Sequence, residues 1–406
     1  MNERWGRFTR YGSPEVEERI TALVTEAAEA CSAALDPATY RAVVLIGGYG
    51  RGEGGVEATP GGERPHNNLD FLLIARSGAG DPQALKRKAD EALKPLSEAH
   101  GIGLDAGVVT DGALAVSPCL VMWHDMRFGH KTLLGDADYV PSLTRFTPGA
   151  IVAYDVRNLL VNRGTLLVIN DYLLRRRAPT DADRRVMVKH AVKAIIGYGD
   201  ALLFFRRAYH WSYAEKQRRM QTRTDVAPDF RALYDEAVEF RFRPNYAAYL
   251  SRDPVAWMRE LRRALAPVHL ECEALRLGAE GLTWATYPRR ALAHEAFDRV
   301  DTLRQIARKV VNVLKRETPV QGLPFDAALG ALTAGMAGAM PILFPVIAYD
   351  LEDGAYRSTA WSMLSAASTA ADDLRAAYLG AWGRYGDVNF GLALERLGLA
   401  MEGPSA

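Results

Sequence analysis

Residues 41–55 read RAVVLIGGYGRGEGG, and residues 68–75 read NLDFLLIA. The first stretch is a short apolar, β-branched run that passes directly into glycines at Gly47. Such a run predicts a buried strand, and the glycine density after it predicts a loop. The second stretch predicts another strand, on which Asn68 and Asp70 point to the same face because side chains alternate. This order of strand, glycine turn and strand with a polar, acidic start decides the fold.

The neighbouring sequence adds three more elements to these two strands. Residues 14–34 predict a helix with Ser13 as its N-cap and proline at the first helical position. Residues 81–100 predict an amphipathic helix, and residues 103–110 predict a third strand. The order is therefore helix, strand, loop, strand, helix, strand, which is a compact α/β unit.

The remainder of the chain has a different pattern. From about residue 145 strand signals stop and helical patterns follow one another. We therefore expect an α+β fold with a small mixed sheet and helices in residues 1–145. Residues 146–406 are expected to form an all-α, substrate-binding domain, with a possible further boundary near residues 318–325.

Two residue types around the glycine turn favour phosphate and metal chemistry. Glycines such as Gly47 and Gly48 let the backbone approach a triphosphate closely. Carboxylates on the next strands are the ligands that Mg²⁺ shares with phosphate groups. Asp70 lies on the second strand, next to Asn68 on the same face, and Asp105 lies on the third. The sequence therefore predicts one site for a triphosphate and Mg²⁺.

These motifs resemble those of a known family. The segment 46–53, followed by residues 68–74, resembles the nucleotidyltransferase fold of the DNA polymerase β superfamily. The string GGYGRGE is similar to bacterial uridylyltransferases that modify nitrogen-signalling proteins, and to small-molecule nucleotidyltransferases. Residues 129–136 (GHKTLLGD) resemble the glycine-aspartate turn that often closes this catalytic domain. The resemblance covers roughly residues 40–136.

The resemblance implies a reaction and a set of site residues. The reaction is Mg²⁺-dependent transfer of a nucleoside monophosphate from an NTP to a hydroxyl or phosphate, with release of pyrophosphate and with two metal ions. The acceptor is a small molecule or a protein side chain. The implied triphosphate contacts are Gly47, Gly48 and Arg51; the implied metal ligands are Asn68, Asp70 and Asp105, of which the two aspartates are also catalytic.

Two features depart from the family pattern. The loop before Asn68 is longer than usual, so residues 54–65 are interpreted as an insertion. In addition, Asn68 stands where the family has the first aspartate of Asp-x-Asp. One negative charge at ~4 Å from a cation stabilises it by about 4 kcal/mol at an effective dielectric of ~20. Loss of this energy in the transition state would slow the reaction roughly a thousandfold. The alternative is a nucleotide-binding, regulatory protein that kept the fold and lost catalysis.

The helical part contributes further candidates. Lys189 and Lys193 are four residues apart and can face one partner such as an NTP phosphate. Asp200 lies on the same predicted helix within an apolar stretch, where it is either buried and paired or a catalytic group in the cleft. Similar small-molecule nucleotidyltransferases take substrate contacts, and sometimes a general base, from such a domain. The segment 175–243 is locally basic, which indicates either a solvated face or a patch that helps hold phosphates.

Composition excludes several classes of function. The 406 residues carry 50 Lys+Arg against 49 Asp+Glu, and this net charge of +1 provides no global field for a long nucleic acid. Three scattered cysteines and the absence of an apolar N-terminal segment predict a reduced, cytoplasmic protein. Residues 327–349 carry no charge and predict a buried, tightly packed helix, with a membrane-associated segment as the alternative. The sequence leaves the oligomeric state open.

A dinucleotide-binding loop is the rival interpretation of the glycines. Gly50, Gly52 and Gly55 match the spacing of that fingerprint, and Asp70 follows at a suitable distance. The fingerprint requires a helix that opens at the third glycine, and prolines in residues 56–65 argue against one. The nucleotidyltransferase interpretation is therefore preferred.

Overall fold

The computed structural model describes residues 4–297, 303–315, 318–321, 323–387 and 389–399. It has a mixed α+β fold with a small sheet and many helices, which confirms the coarse expectation. The strands are β1 Tyr40–Ile46, β2 Val56–Thr59, β3 Gly62–Pro65, β4 Leu69–Ala75, β5 Leu104–Thr110 and β6 Lys131–Gly135. The helices are α1 Pro14–Ala34, α2 Gly47–Gly50, α3 Pro82–His100, α4 Asp111–Val116, α5 Val121–Phe128, α6 Tyr139–Ser142, α7 Ala153–Arg176, α8 Asp181–Phe205, α9 Tyr213–Gln221, α10 Pro228–Phe242, α11 Ala247–Leu250, α12 Pro254–Leu277, α13 Tyr287–Phe297, α14 Leu303–Lys315, α15 Phe325–Ala348, α16 Gly354–Leu364, α17 Ala371–Tyr385 and α18 Asn389–Arg396.

The main sheet has the strand order β5-β4-β1-β6. β1 pairs antiparallel with both β4 and β6, whereas β4 and β5 are parallel. The crossover between β4 and β5 is made by α3, as the predicted strand-helix-strand order requires. α1 and α3 share a hydrophobic core with the sheet, to which Ile20, Val43, Phe71 and Leu93 contribute fully buried side chains.

The chain divides into two compact units that differ from the predicted domains. Unit 1 comprises residues 1–156 and 208–245, and unit 2 comprises residues 157–207 and 246–406. The sequence-based boundary at residue 145 assigned α9 and α10 to the second domain, but both helices belong to unit 1. The possible boundary near residues 318–325 falls inside unit 2.

The long loop before β4 is partly ordered as strands. Residues 54–65, interpreted above as a loop insertion, contain the antiparallel hairpin β2–β3. Because β2 begins at Val56, no helix opens after Gly55, so the dinucleotide-binding interpretation is wrong. Sequence reasoning also missed β6, a short edge strand of the main sheet.

α15 is the apolar segment for which a membrane was considered. It is long and apolar enough to cross a bilayer by length and composition, and 72% of its most apolar window is buried inside the protein. A Cβ on Gly330 would collide with the carbonyl oxygen of Leu292 on α13, so the small residue lets the two helices approach closely. The helix is kinked at Gly335, where φ is 66°. Pro341 and Pro345 do not end it.

Candidate active site

The glycine turn and β4 meet at the first glycine. Gly47 directly follows β1 and starts the single turn α2 with a φ of +69°, a conformation that favours glycine. A Cβ built on Gly47 would lie 2.7 Å from the Oδ2 atom of Asp70. Both the backbone conformation and the position of this carboxylate therefore require glycine here.

The register of the sheet brings the predicted carboxylates together. Asp70 pairs with Ile46 on β1 and with Asp105 on the parallel strand β5. Both aspartates are exposed, whereas the apolar residues that precede them, Leu69 and Leu104, are buried. Two carboxylates thus stand side by side at the end of the sheet that carries the glycine turn.

Asn68 is the third member of this group. Its side-chain nitrogen donates a 2.6 Å hydrogen bond to Oδ2 of Asp105. Gly103 makes room for the amide, because a Cβ there would lie 2.5 Å from the Cγ atom of Asn68. The neutral amide therefore binds Asp105, where an aspartate at position 68 would repel it.

The donor set can be compared with the needs of Mg²⁺. Within the described residues no group of three or more His, Cys, Asp or Glu side chains could hold a metal ion. Asp70 and Asp105 supply two carboxylates, and Mg²⁺ commonly binds one or two carboxylates together with substrate phosphates. The pair therefore fits a metal ion that arrives with a nucleotide, while the expectation of two ions stays a prediction.

Arg51, which was predicted to bind the triphosphate, has a partner inside unit 1. Its Nη2 atom lies 3.0 Å from Oδ2 of Asp125, and both side chains are about nine-tenths buried. Its Nη1 atom donates to the carbonyl oxygen of Trp211 at 3.1 Å. A guanidinium held in this way contributes to the packing of unit 1, so we leave Arg51 out of the proposed phosphate contacts.

Asp125 is the centre of this buried cluster. It accepts hydrogen bonds from the hydroxyl group of Tyr209 at 3.0 and 3.1 Å and lies 3.1 Å from Nδ1 of His124. Burial alone would raise the pKa of Asp125, but Arg51 and His124 oppose it, and the pKa is lowered overall. The carboxylate is therefore held in its charged form.

Glu53 also connects the glycine loop to the later helices of unit 1. It is buried, and its carboxylate accepts hydrogen bonds from the hydroxyl group of Ser212 at 2.6 Å and from the backbone nitrogen of Tyr213 at 2.8 Å. Ser212 is the N-cap of α9, so Glu53 satisfies donors at this helix terminus that the helix itself leaves unpaired. The Arg and Glu of the GRGE string thus fix α9 in place.

Tyr49 fixes the approach to β4. Its hydroxyl group donates to the carbonyl oxygen of Gly55 at 2.7 Å and accepts from the backbone nitrogen of His66 at 3.0 Å and of Asn67 at 3.4 Å. Burial raises the pKa of Tyr49 to about 12. Tyr49 therefore positions the backbone of the residues directly before Asn68.

Arg241, at the end of α10, is a residue that sequence reasoning did not single out. A Cβ built on Gly48 would lie 3.2 Å from its Nη2 atom, which places the guanidinium against the second glycine of the turn. The guanidinium stacks over Tyr213 at 4.1 Å from the ring centroid, and its buried Nε atom has no hydrogen-bond partner. The basic character of residues 175–243 was the signal for it, but the sequence could not tell which cation reaches the turn.

The candidates of the helical region lie on one helix of unit 2. Lys189, Lys193 and Asp200 all belong to α8, with Asp200 buried and Lys193 exposed. Burial of the imidazole, together with the charge of Lys193, lowers the pKa of His190 to about 3. The predicted roles of the lysines in phosphate binding and of Asp200 in catalysis stay predictions.

No protein-family model, curated protein or solved structure matches this chain.

Proposed function

We propose that the protein is a Mg²⁺-dependent nucleotidyltransferase with a polymerase-β-like N-terminal domain. The observation that supports this most directly is the in-register pair Asp70 and Asp105 beside the Gly47–Gly48 turn. A carboxylate pair next to a glycine turn combines metal ligands with a backbone that can approach phosphates. The order of motifs that resembles the polymerase β superfamily supports the same reaction.

In the proposed reaction an oxygen of the acceptor attacks the α-phosphorus of an NTP. The new bond joins the acceptor to the nucleoside monophosphate, and the bond to the leaving pyrophosphate breaks. Asp70 and Asp105 would hold Mg²⁺, which neutralises negative charge on the phosphates. Gly47 leaves room for the carboxylate of Asp70, and Asn68 orients that of Asp105 through its amide nitrogen.

The proposal also includes the surroundings of the reaction. The acceptor is a hydroxyl or phosphate group of a small molecule or a protein, because the near-zero net charge argues against a long nucleic acid. The protein is proposed to act in the cytoplasm. Asp200, Lys189 and Lys193 remain candidates for contacts from the helical region.

One observation favours a second function, that of a nucleotide-binding regulator without turnover. The hydrogen bond between Asn68 and Asp105 occupies an oxygen that the family pattern would direct at a metal ion. Loss of one carboxylate lowers the negative charge available to bind Mg²⁺. Such a protein would bind Mg²⁺ and NTP and release no pyrophosphate.

Binding and turnover measured together test these proposals. Calorimetry with each of the four common NTPs, with and without Mg²⁺, measures binding, and a coupled pyrophosphate assay across candidate acceptors measures turnover. Asp70→Asn should abolish Mg²⁺-dependent NTP binding, since it removes a ligand charge at constant size. Asp90→Asn is the matched control, because Asp90 lies on α3 in a surface pair with Lys86. Equal binding by Asp70→Asn and the parent would refute the metal assignment; binding without pyrophosphate release favours the regulator.

A further inference from the structure

Arg241 is a half-buried arginine whose guanidinium lies against the glycine turn. The described residues provide no ion pair and no side-chain hydrogen bond for it, and its Nε atom is buried without a partner. Two other cationic groups surround Tyr213. Arg51 also has a buried Nε atom without a partner, but its Nη2 atom pairs with Asp125, and Lys216 is fully buried 4.1 Å from the ring centroid. A buried or half-buried guanidinium without a carboxylate is costly unless a ligand supplies the negative charge.

The position of Arg241 indicates which ligand that is. Its Nη2 atom lies against Gly48, in the turn whose first glycine contacts the carboxylate of Asp70. Stacking on Tyr213 holds the planar guanidinium in one orientation, which favours bidentate contacts to phosphate oxygens. The carboxylate of Glu53, on the same loop, accepts hydrogen bonds from the N-terminus of α9.

We infer that Arg241 is the arginine that binds the polyphosphate of the substrate at the Gly47–Gly48 turn, in place of Arg51, and that Tyr213 is its positioning residue. This inference rests on the proposed function for the identity of the substrate, a nucleoside triphosphate. The chemistry it requires is narrower: a chain of phosphates that the guanidinium can contact. Inorganic tripolyphosphate has this chemistry without nucleoside or acceptor, and it is the probe we choose.

Calorimetric titration of the full chain with tripolyphosphate in the absence of Mg²⁺ tests the inference. Arg241→Gln should weaken binding about ten- to a hundredfold, the range expected for hydrogen bonds to a charged partner. Arg241→Lys keeps the charge but loses the planar set of donors, so its affinity for tripolyphosphate should lie between those of the parent and of Arg241→Gln. Arg243→Gln removes an arginine two positions along that pairs with Glu63, and it should bind tripolyphosphate like the parent.

A second pair of variants separates positioning from packing. Tyr213→Phe keeps the ring under the guanidinium and should retain affinity, whereas Tyr213→Leu removes the ring and should lose it. A role in packing alone would lower the melting temperature of Arg241→Gln and leave its tripolyphosphate affinity unchanged. The inference is overturned if Arg241→Gln binds as tightly as the parent, or if the parent does not bind tripolyphosphate. Neither outcome depends on Mg²⁺ or on pyrophosphate release, which test the proposed function separately.

Discussion

Asn68→Asp places a third carboxylate beside Asp105 and tests the geometry of the site. In the parent, the amide nitrogen of Asn68 donates a 2.6 Å hydrogen bond to Oδ2 of Asp105. The variant loses this donor and brings two negative charges close together. We therefore expect two effects of opposite sign: lower stability without metal and stronger Mg²⁺ binding with nucleotide.

The size of each effect follows from the exposure of the two side chains. Two like charges ~4 Å apart repel by about 1 kcal/mol in bulk water and by about 4 kcal/mol at an effective dielectric of ~20. Because both residues are exposed, the lower figure applies, and the lost hydrogen bond adds a similar amount. The metal-free protein should therefore melt a few degrees lower, at roughly 2–4 °C per kcal/mol for a unit of about 200 residues such as unit 1. With Mg²⁺ and nucleotide bound, nucleotidyl transfer should rise about ten- to a thousandfold.

Thermal unfolding with and without Mg²⁺, calorimetry with Mg²⁺ and NTP, and the pyrophosphate assay measure these effects. Asn67→Asp is the matched control, because it makes the same chemical change one residue earlier, at a residue whose backbone nitrogen bonds to the hydroxyl group of Tyr49. If Asn68→Asp melts like the parent and its Mg²⁺ affinity is unchanged, residue 68 does not lie beside the carboxylate pair, and the proposed geometry is refuted.

Three further changes address residues that shape the site. Gly47→Ala places a side chain in a left-handed backbone conformation and against Asp70. We expect a free energy of unfolding in urea that is about 1–2 kcal/mol lower, together with weaker NTP binding. An unchanged NTP affinity would contradict the contact between Gly47 and Asp70. Asp125→Asn leaves the buried charge of Arg51 without its partner and should cost about 3–5 kcal/mol. The pKa of Asp125 is lower in the folded protein than in the unfolded chain, where it is about 4. The contribution of this carboxylate to the free energy of unfolding is therefore present above pH ~4 and is lost as the pH falls through the folded-state pKa. The free energies of unfolding of the parent and of Asp125→Asn should converge in acid. Tyr49→Phe removes the hydroxyl group that accepts from the backbone nitrogens of His66 and Asn67. Mg²⁺-dependent NTP binding should weaken while the midpoint of thermal unfolding shifts by only a few degrees. NTP binding equal to that of the parent would show that this contact does not position β4.

The elements around the site were predictable because their signals are local. The apolar runs of β1 and β4 and the capped helices α1 and α3 each follow from residues that are close in sequence. The pairing of Asp70 with Asp105 also followed, because a strand-helix-strand connection places two strands side by side and in parallel.

The role of Arg51 could not be predicted in the same way. Its partner Asp125 is 74 positions away, and no local pattern distinguishes a buried arginine from one that faces a ligand. The same holds for Arg241, whose approach to Gly48 depends on how α9 and α10 return to the first unit. The hairpin β2–β3 was missed because prolines and glycines, which usually indicate loops, also occur at turns and ends of short strands.

The discontinuity of the two units has a consequence for synthesis on the ribosome. A fragment that stops at residue 156 contains the glycine loop and the whole main sheet, but it lacks Ser212 and Tyr213, the partners of buried Glu53. Unit 1 therefore reaches its final packing only after residue 245 has emerged, when about 40% of the chain is still to be made and the polypeptide has already passed once through unit 2. Until then the carboxylate of Glu53 in a nascent chain lacks these two partners. The candidate active site is therefore completed only when α10, which carries Arg241, has been synthesised.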